Sequence, residues 1–286
     1  MYNKNVRKES AVPNLILNFT DSYPQPDAAG ALCMGTYEFT VLDFSHLSGT
    51  DLYCDEEAQA ALSERLAPYG PSGLHFLDSG NYHYVSKLFT SMIGEPYALI
   101  VFDHHTDMKP AMFDLLSCGA WVKHVLEEDP WVRSVLLIGP PEKSLNEIED
   151  PLKRDPRLIC VSEETFLSEI VTTSEPGADL SNPVDTPLFF PSLRERIGSL
   201  PLYLSIDKDL LRPEDARTNW DQGTVSLGAL LLALKHLLPL PEENSSRLIG
   251  ADICGLLPVR DGGDSGPTSV SGQSDLALAQ ALLPLL

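Results

Sequence analysis

The chain is poor in cysteine and in positive charge. Its five cysteines, Cys33, Cys54, Cys118, Cys160 and Cys254, are scattered through 286 residues with no Cys-x-x-Cys pair. An odd, dispersed set does not make a disulfide framework and fits a reducing compartment. Cys160 and Cys254 sit in apolar runs and are expected to act as small core hydrophobes. Lys and Arg number 20 against 41 Asp and Glu, a net charge of −21. That balance disfavours nucleic acid and anionic membranes, whose phosphates would repel the chain. Much of the acid falls in residues 51–64, 127–155 and 163–175, which read as solvated faces. No apolar run reaches the ~18 residues needed to span a bilayer. There is no internal repeat and no low-complexity tract. The glycine-rich loop 260–266 lacks the spacing of a phosphate-binding loop and reads as a rim. Met1 to Glu9 are polar, with no apolar segment behind them. The expectation is a soluble cytoplasmic protein, in which the sequons at Asn18 and Asn244 are idle.

What is present is a recurring alternation. Short apolar runs occupy residues 15–19, 39–44, 74–77, 98–102, 135–138, 158–161, 202–206 and 248–253. Several are near-continuous Leu, Ile and Val, the pattern of strands buried on both faces, as in a parallel sheet. Between them lie helix-like stretches at 56–66, 113–126, 163–170 and 226–238, and an amphipathic one at 274–286, frayed by Pro284. Residues 172–200, with Pro176, Pro183, Pro187 and Pro191, read as a loop or excursion. The alternation predicts a doubly wound α/β fold, taken as one domain over residues 1–286.

Two acidic segments follow apolar runs. Asp103-His104-His105-Thr106-Asp107 follows the run ending at Phe102, and Asp207-Lys208-Asp209 follows the run ending at Ile206. In an extended chain, residues i, i+2 and i+4 share a face, so Asp103, His105 and Asp107 would project together, as would Asp207 and Asp209. Four carboxylates converging without a cation would repel, and some would protonate. Two divalent ions offset that charge, and a carboxylate has two oxygens with which to bridge them. In open parallel sheets, ligands sit beyond the carboxyl ends of the strands, where both segments fall.

In these motifs the chain resembles the ureohydrolase superfamily of arginase, agmatinase and formimidoylglutamase. That family carries an Asp-x-His-x-Asp motif, a later Ser-x-Asp-x-Asp motif and an earlier Gly-Gly-Asp-His segment. Here Asp103–Asp107 matches the first and Ser205-Ile206-Asp207-Lys208-Asp209 the second. Gly80-Asn81-Tyr82-His83 holds the place of the third and keeps its histidine. The resemblance implies a three-layer α/β/α sandwich around a mostly parallel central sheet. It also implies two divalent metal ions, most readily Mn²⁺ given oxygen-rich ligation with two imidazoles. Asp103 and Asp207 would bridge them, His83 and Asp107 would complete one sphere, and His105 and Asp209 the other. Asp107 would also accept a hydrogen bond from a metal-bridging hydroxide that attacks a linear C–N bond in a guanidine, amidine or formimino compound. Family members are often trimers or hexamers, and the partner expected here is a small molecule.

The sequence departs from the family at two points. The glutamate that binds a guanidinium in a late Asp-Ile-x-Glu-x-x-Pro segment is replaced by Gly255 in Asp252-Ile253-Cys254-Gly255. The helix after the first motif has no shuttle histidine in residues 116–120, where Cys118 stands instead. His104, expected on the opposite face from the ligands, and Asp221 join Asp107 as candidates for positioning and proton transfer. Asp221 could replace the missing carboxylate, with Asn219 or Gln222 orienting an amide. Arg212 and Arg217 could bind a substrate carboxylate or offset local acid, and Lys208 is expected to face away in a salt bridge. Two other readings stay open: a metal-binding but catalytically silent regulatory protein, favoured by the missing glutamate and histidine, and a deacetylase-like amide hydrolase.

Overall fold

A computed structural model describes residues 13–110, 113, 115–173, 189–238 and 246–286. Strands and helices are numbered in chain order. β1 is Leu15–Asn18, β2 Ala31–Met34, β3 Tyr37–Asp43 and β4 Tyr53–Cys54, followed by α1, Glu56–Leu66. β5 is Gly73–Phe76, α2 Val85–Thr90, β6 Tyr97–Phe102, β7 Leu116–Ser117, α3 Trp121–Glu128 and β8 Val132–Ile138. Then come α4 (Glu142–Asn146), α5 (Asp150–Lys153), β9 (Leu158–Val161), α6 (Glu163–Thr173) and α7 (Phe189–Ile197). β10 is Leu202–Asp207, α8 Leu227–Leu237, β11 Leu248–Cys254 and α9 Val270–Leu282.

Nine strands form one sheet in the order β2-β3-β1-β5-β11-β10-β6-β8-β9. Every pairing is parallel except β2 with β3. The central strands β6, β10 and β11 are buried along their whole length, because helices cover both faces. Consecutive strand residues alternate between two cores. Ile100, Phe102, Leu204, Ile206 and Ile253 pack with α6, α7, α8 and α9, while Leu99, Val101, Leu137 and Tyr203 pack with α1, α2 and α3. The fold is the expected α/β sandwich around a mostly parallel sheet.

Helix starts follow cap chemistry. The Asp55 carboxylate accepts from Ala58 N, Ser226 Oγ from Ala229 N, and Ser269 Oγ from Gly272 N. These caps fix α1 over residues 56–66 and α8 next to its expected bounds. They also move α9 four residues ahead of its predicted start, and its end passes into a 3-10 turn at Leu283–Leu285 around Pro284.

Two predicted elements differ. The stretch 113–126 is not one helix: Leu116–Ser117 pairs antiparallel with Tyr53–Cys54, and α3 begins only at Trp121. Residues 111, 112 and 114 lie outside the described residues. The excursion 172–200 contains α7, which buries Phe190, Leu193 and Ile197; the prolines at 176, 183 and 187 lie outside the described residues, as do Met1 to Glu9 and Asn244. Cys160 is exposed on β9 and is not a core residue, because β9 is the sheet's edge strand. Among the described residues no helix is long and apolar enough to cross a membrane.

Candidate metal centre

Four adjacent strands, β5, β11, β10 and β6, run parallel, so their carboxyl ends lie along one edge. That edge gathers every metal-ligand candidate. β6 delivers Asp103 immediately after Phe102, and β10 ends on Asp207. β5 leads through Asp78 and a 3-10 turn at Gly80–Tyr82 to His83. The Asp78 carboxylate fixes that approach by accepting from Phe19 N, Thr20 N and Thr20 Oγ1, each at 2.8 Å.

The convergence is not produced by strand alternation. Past Phe102 the chain bends, and Asp107 has a left-handed backbone at φ +50°. Asp209 sits in a 3-10 turn, Lys208–Leu210, whose N-cap is the Asp207 carboxylate. His104 therefore does not lie on a far face. Its ring meets that of His105 edge-on at 5.5 Å, and its Nε2 is 4.0 Å from Asp221 Oδ2.

The donor atoms fall into two groups that share Asp103. In one, His83 Nδ1 lies 3.2 Å from Asp103 Oδ2, 3.1 Å from Asp107 Oδ2 and 3.6 Å from Asp207 Oδ2. In the other, His105 Nδ1 lies 2.8 Å from Asp209 Oδ2 and 3.6 Å from Asp103 Oδ1. The ligand set thus divides into a His83 half and a His105 half. Backbone amides orient the acids: His105 N donates to Asp103, Asp209 N to Asp207, and His104 N to Asp209.

Whether these residues fit cations is decided by their own chemistry. Asp103 Oδ2 is buried and has no hydrogen-bond partner. Burial and the neighbouring Asp103 push Asp107 up to about 7. Burial, Asp207 and Asp103 push Asp209 well above the ordinary carboxylate range. Burial alone would raise Asp103 as well, but His105 and His83 hold it down. These carboxylates cannot all ionise beside one another unless positive charge is added, and an oxygen-rich donor set with two imidazoles suits a divalent pair. The residues fit.

Supporting groups surround the donors. His83 Nε2 meets Ser205 Oγ at 2.8 Å; Ser205 donates to Asp252 at 2.6 Å, and Asp252 also accepts from Ser86 and Tyr203. This buried chain leaves Nδ1 facing the acids. Trp121 Nε1 donates to Asp107 Oδ2 at 2.6 Å. Lys208 turns away into a buried pair with Asp275 at 2.5 Å, as expected. Gly255 has φ +90°, and a Cβ there would stand 2.5 Å from Asp207 Oδ1, so the backbone passes directly beneath a ligand.

The remaining candidates are placed as follows. Asp221 Oδ1 is 3.0 Å from His105 Nε2 with a side chain 78% exposed. Asn219 donates to Asn81, so it abuts the His83 turn. Gln222 is spent on the carbonyls of Leu211 and Ala216 and does not face the site. Arg212 pairs with Asp215. Sequence reasoning passed over Trp121, the Ser205–Asp252 pair and the orientation of Cys254, whose Sγ lies 3.1 Å from Asp207 Oδ2. A usable signal existed for the last: Asp252 and Cys254 are two apart at the end of a buried strand.

Above the donors a narrow cavity of about 30 Å³ is walled in part by Lys109, Cys118, Gly119 and Trp220. The same four residues border a second cavity of about 430 Å³, completed by Leu52, Tyr53, Pro110 and Ser117. Among the described residues no carboxylate lines this larger space.

Comparison with known proteins agrees with the architecture. No family model matches the chain. It is 31% identical over 183 residues to an uncharacterized protein of Thermotoga maritima; the match covers 64% of this chain, which spans only 58% of that relative. Among solved structures it is similar to proclavaminate amidinohydrolase from Streptomyces clavuligerus, with TM-score 0.60 and 15% identity over 96% of this chain and 91% of that one. It is also similar to arginase from Bacillus subtilis, with TM-score 0.58 and 15% identity over 95% and 98% of the two chains. A Mn²⁺-bound triple mutant of a T. brucei arginase-like protein matches with TM-score 0.55 and 14% identity over 96% and 91%. The chain has the arginase-like fold that these proteins share.

Proposed function

We propose that the chain is a ureohydrolase-superfamily enzyme that hydrolyses a C–N bond of a small guanidine, amidine, formimino or related compound at a binuclear metal centre. The observation that carries this reading is the pair of donor groups sharing Asp103 at the carboxyl ends of four adjacent parallel strands. His83, Asp103, Asp107 and Asp207 would hold one cation, and His105, Asp103, Asp207 and Asp209 the other, with Mn²⁺ the first choice. When bound, such a pair acidifies water and polarises the scissile carbon.

The chain's own residues would do the rest. Trp121 fixes the Asp107 oxygen that faces His83, which would hold this carboxylate in place to bind a cation and orient a nucleophilic water. Asp221 holds His105 from the solvent side and, being exposed, can exchange protons there. The larger cavity offers aromatic walls from Tyr53 and Trp220 and the side chain of Lys109, with no acid among its described lining residues. It therefore suits a substrate tail that is neutral or anionic better than a free cationic guanidinium. Elemental analysis of chelator-free protein, before and after Mn²⁺ loading, tests the reading: about two ions per chain are expected, followed by release of urea, ammonia or formamide from a compound screen. Turnover that survives replacement of both Asp103 and Asp207 by Ala would overturn it.

A second reading has one observation behind it. The backbone at Gly255 is too close to Asp207 for any side chain, so a guanidinium-binding glutamate has no place in this conformation. A centre that loads metal yet turns over nothing in the screen would identify a silent binding or regulatory protein.

A further inference from the structure

The strand pair β10–β11 carries two cross-strand couples on one face, Ser205 with Asp252 and Asp207 with Cys254. The first couple is the hydrogen-bonded support beneath His83. The second lies two residues nearer the carboxyl edge, so the Cys254 thiol stands level with a ligand carboxylate. Its Sγ is 3.1 Å from Asp207 Oδ2, and Sγ, a His83 nitrogen and an Asp207 oxygen all lie within 4.8 Å of one another.

Those separations suit one coordination sphere. Donors bound to a single ion at about 2.0–2.3 Å stand about 3–3.5 Å from each other. His83, Asp207 and Cys254 form a donor group of their own, with Sγ 3.1 Å from Asp207 Oδ2, beside the group of His83, Asp103 and Asp107. Independently, Asp103 Oδ2 belongs to a side chain only 1% exposed, faces His83 Nδ1 and has no hydrogen-bond partner. A buried oxygen with that single contact can take a further partner, and a cation suits it in this donor set. Cys254 is itself 1% exposed and does not line the cavity, so it approaches from beneath the centre and leaves the substrate side open.

We infer that the ion held by His83 is also bound by the thiolate of Cys254, giving this half a nitrogen, oxygen and sulfur donor set. The inference rests on reading these residues as a metal centre. On binding, the metal–sulfur bond forms, the thiol proton leaves to bulk water, and no electron is transferred. Thiolate ligation favours Zn²⁺, Co²⁺ or Fe²⁺ in this half, whereas the His105 half, with oxygen and nitrogen donors only, keeps the preference for Mn²⁺.

Loading the full chain with Co²⁺ separates the outcomes. Wild-type protein is expected to show visible d–d bands and a near-ultraviolet sulfur-to-cobalt charge-transfer band. Cys254→Ser should lose the second and keep the first, while Cys118→Ser, the thiol on the cavity wall, should keep both. Visible bands without the charge-transfer band in wild type, or a charge-transfer band that survives Cys254→Ser, would overturn thiolate ligation and leave the metal centre standing. Absence of both bands from wild type would overturn both. X-ray absorption on Zn²⁺-loaded wild-type protein needs no variant: a sulfur shell near ~2.3 Å supports the inference, and a shell of oxygen and nitrogen alone overturns it.

Discussion

The two halves of the candidate centre are built to different standards. The His83 half is sealed: His83 is 1% exposed, its far nitrogen ends in the Ser205–Asp252 chain, and Cys254 closes it from below. The His105 half is open: its imidazole is 21% exposed and is held on the outer side by Asp221, itself 78% exposed. A ligand fixed by buried hydrogen bonds cannot leave without orphaning them, whereas one fixed by an exposed acid can be released to water at small cost. If the centre binds two cations as proposed, the ion beside His83 is expected to be retained and the ion beside His105 to exchange.

Breaking what the halves share should have the largest effect. Asp103→Ala is expected to remove both ions and all turnover, measured as metal content per chain; loss of a single ion would deny the shared role. Next in size, His83→Ala and His105→Ala should separate the halves. Under a chelator, wild-type protein is expected to lose one ion well before the other. His105→Ala should leave the slow ion and His83→Ala should remove it, and equal rates for both ions would erase the distinction. Gly255→Ala places a methyl against Asp207 at a positive φ, so a loss of about 1–3 kcal/mol of stability is expected, read as a lower melting temperature. Ser205→Ala should weaken binding in the sealed half about 10- to 100-fold by calorimetry and spare the open half.

Near neutral pH the smallest effect is expected at His75, which supplies a baseline away from both halves. His75 is fully buried, stacks on Phe89 at 4.2 Å and has no hydrogen-bond partner on either nitrogen among the described residues. Burial lowers its pKa from 6.5 to about 3. Between those values the unfolded chain binds a proton that the folded chain refuses, so stability is lost as pH falls below 6.5, by up to about 1.4 kcal/mol per pH unit. His75→Phe should flatten that part of the stability profile. An unchanged slope would assign the acid sensitivity elsewhere.

The fold was largely legible in the sequence, because several of the eight apolar runs are near-continuous Leu, Ile and Val, which have few ways to pack other than as strands covered on both faces. What escaped was set by tertiary pairing. β7 exists because Leu116–Ser117 finds Tyr53–Cys54. α3 starts late because that pairing occupies the residues before it. The ligand residues were readable from their order, but not the way they meet. Alternation placed Asp103, His105 and Asp107 on one face, whereas a bend with positive φ at Asp107 brings them together. Cys254 read as core because burial and site proximity look alike in a strand of apolar residues. Only the register, which sets it opposite Asp207, tells them apart.

Lys208 has a consequence for how the centre matures. It stands between two of the acids, and among the described residues its ammonium pairs with Asp275 in α9, 67 residues further along the chain. A buried ammonium without its partner costs about 3–5 kcal/mol. Until α9 has docked, burying Lys208 would carry that cost, so the segment with Asp207 and Asp209 is expected to order only once residue 275 is in place. Any cation the centre holds would then be bound late, after the last helix has been made.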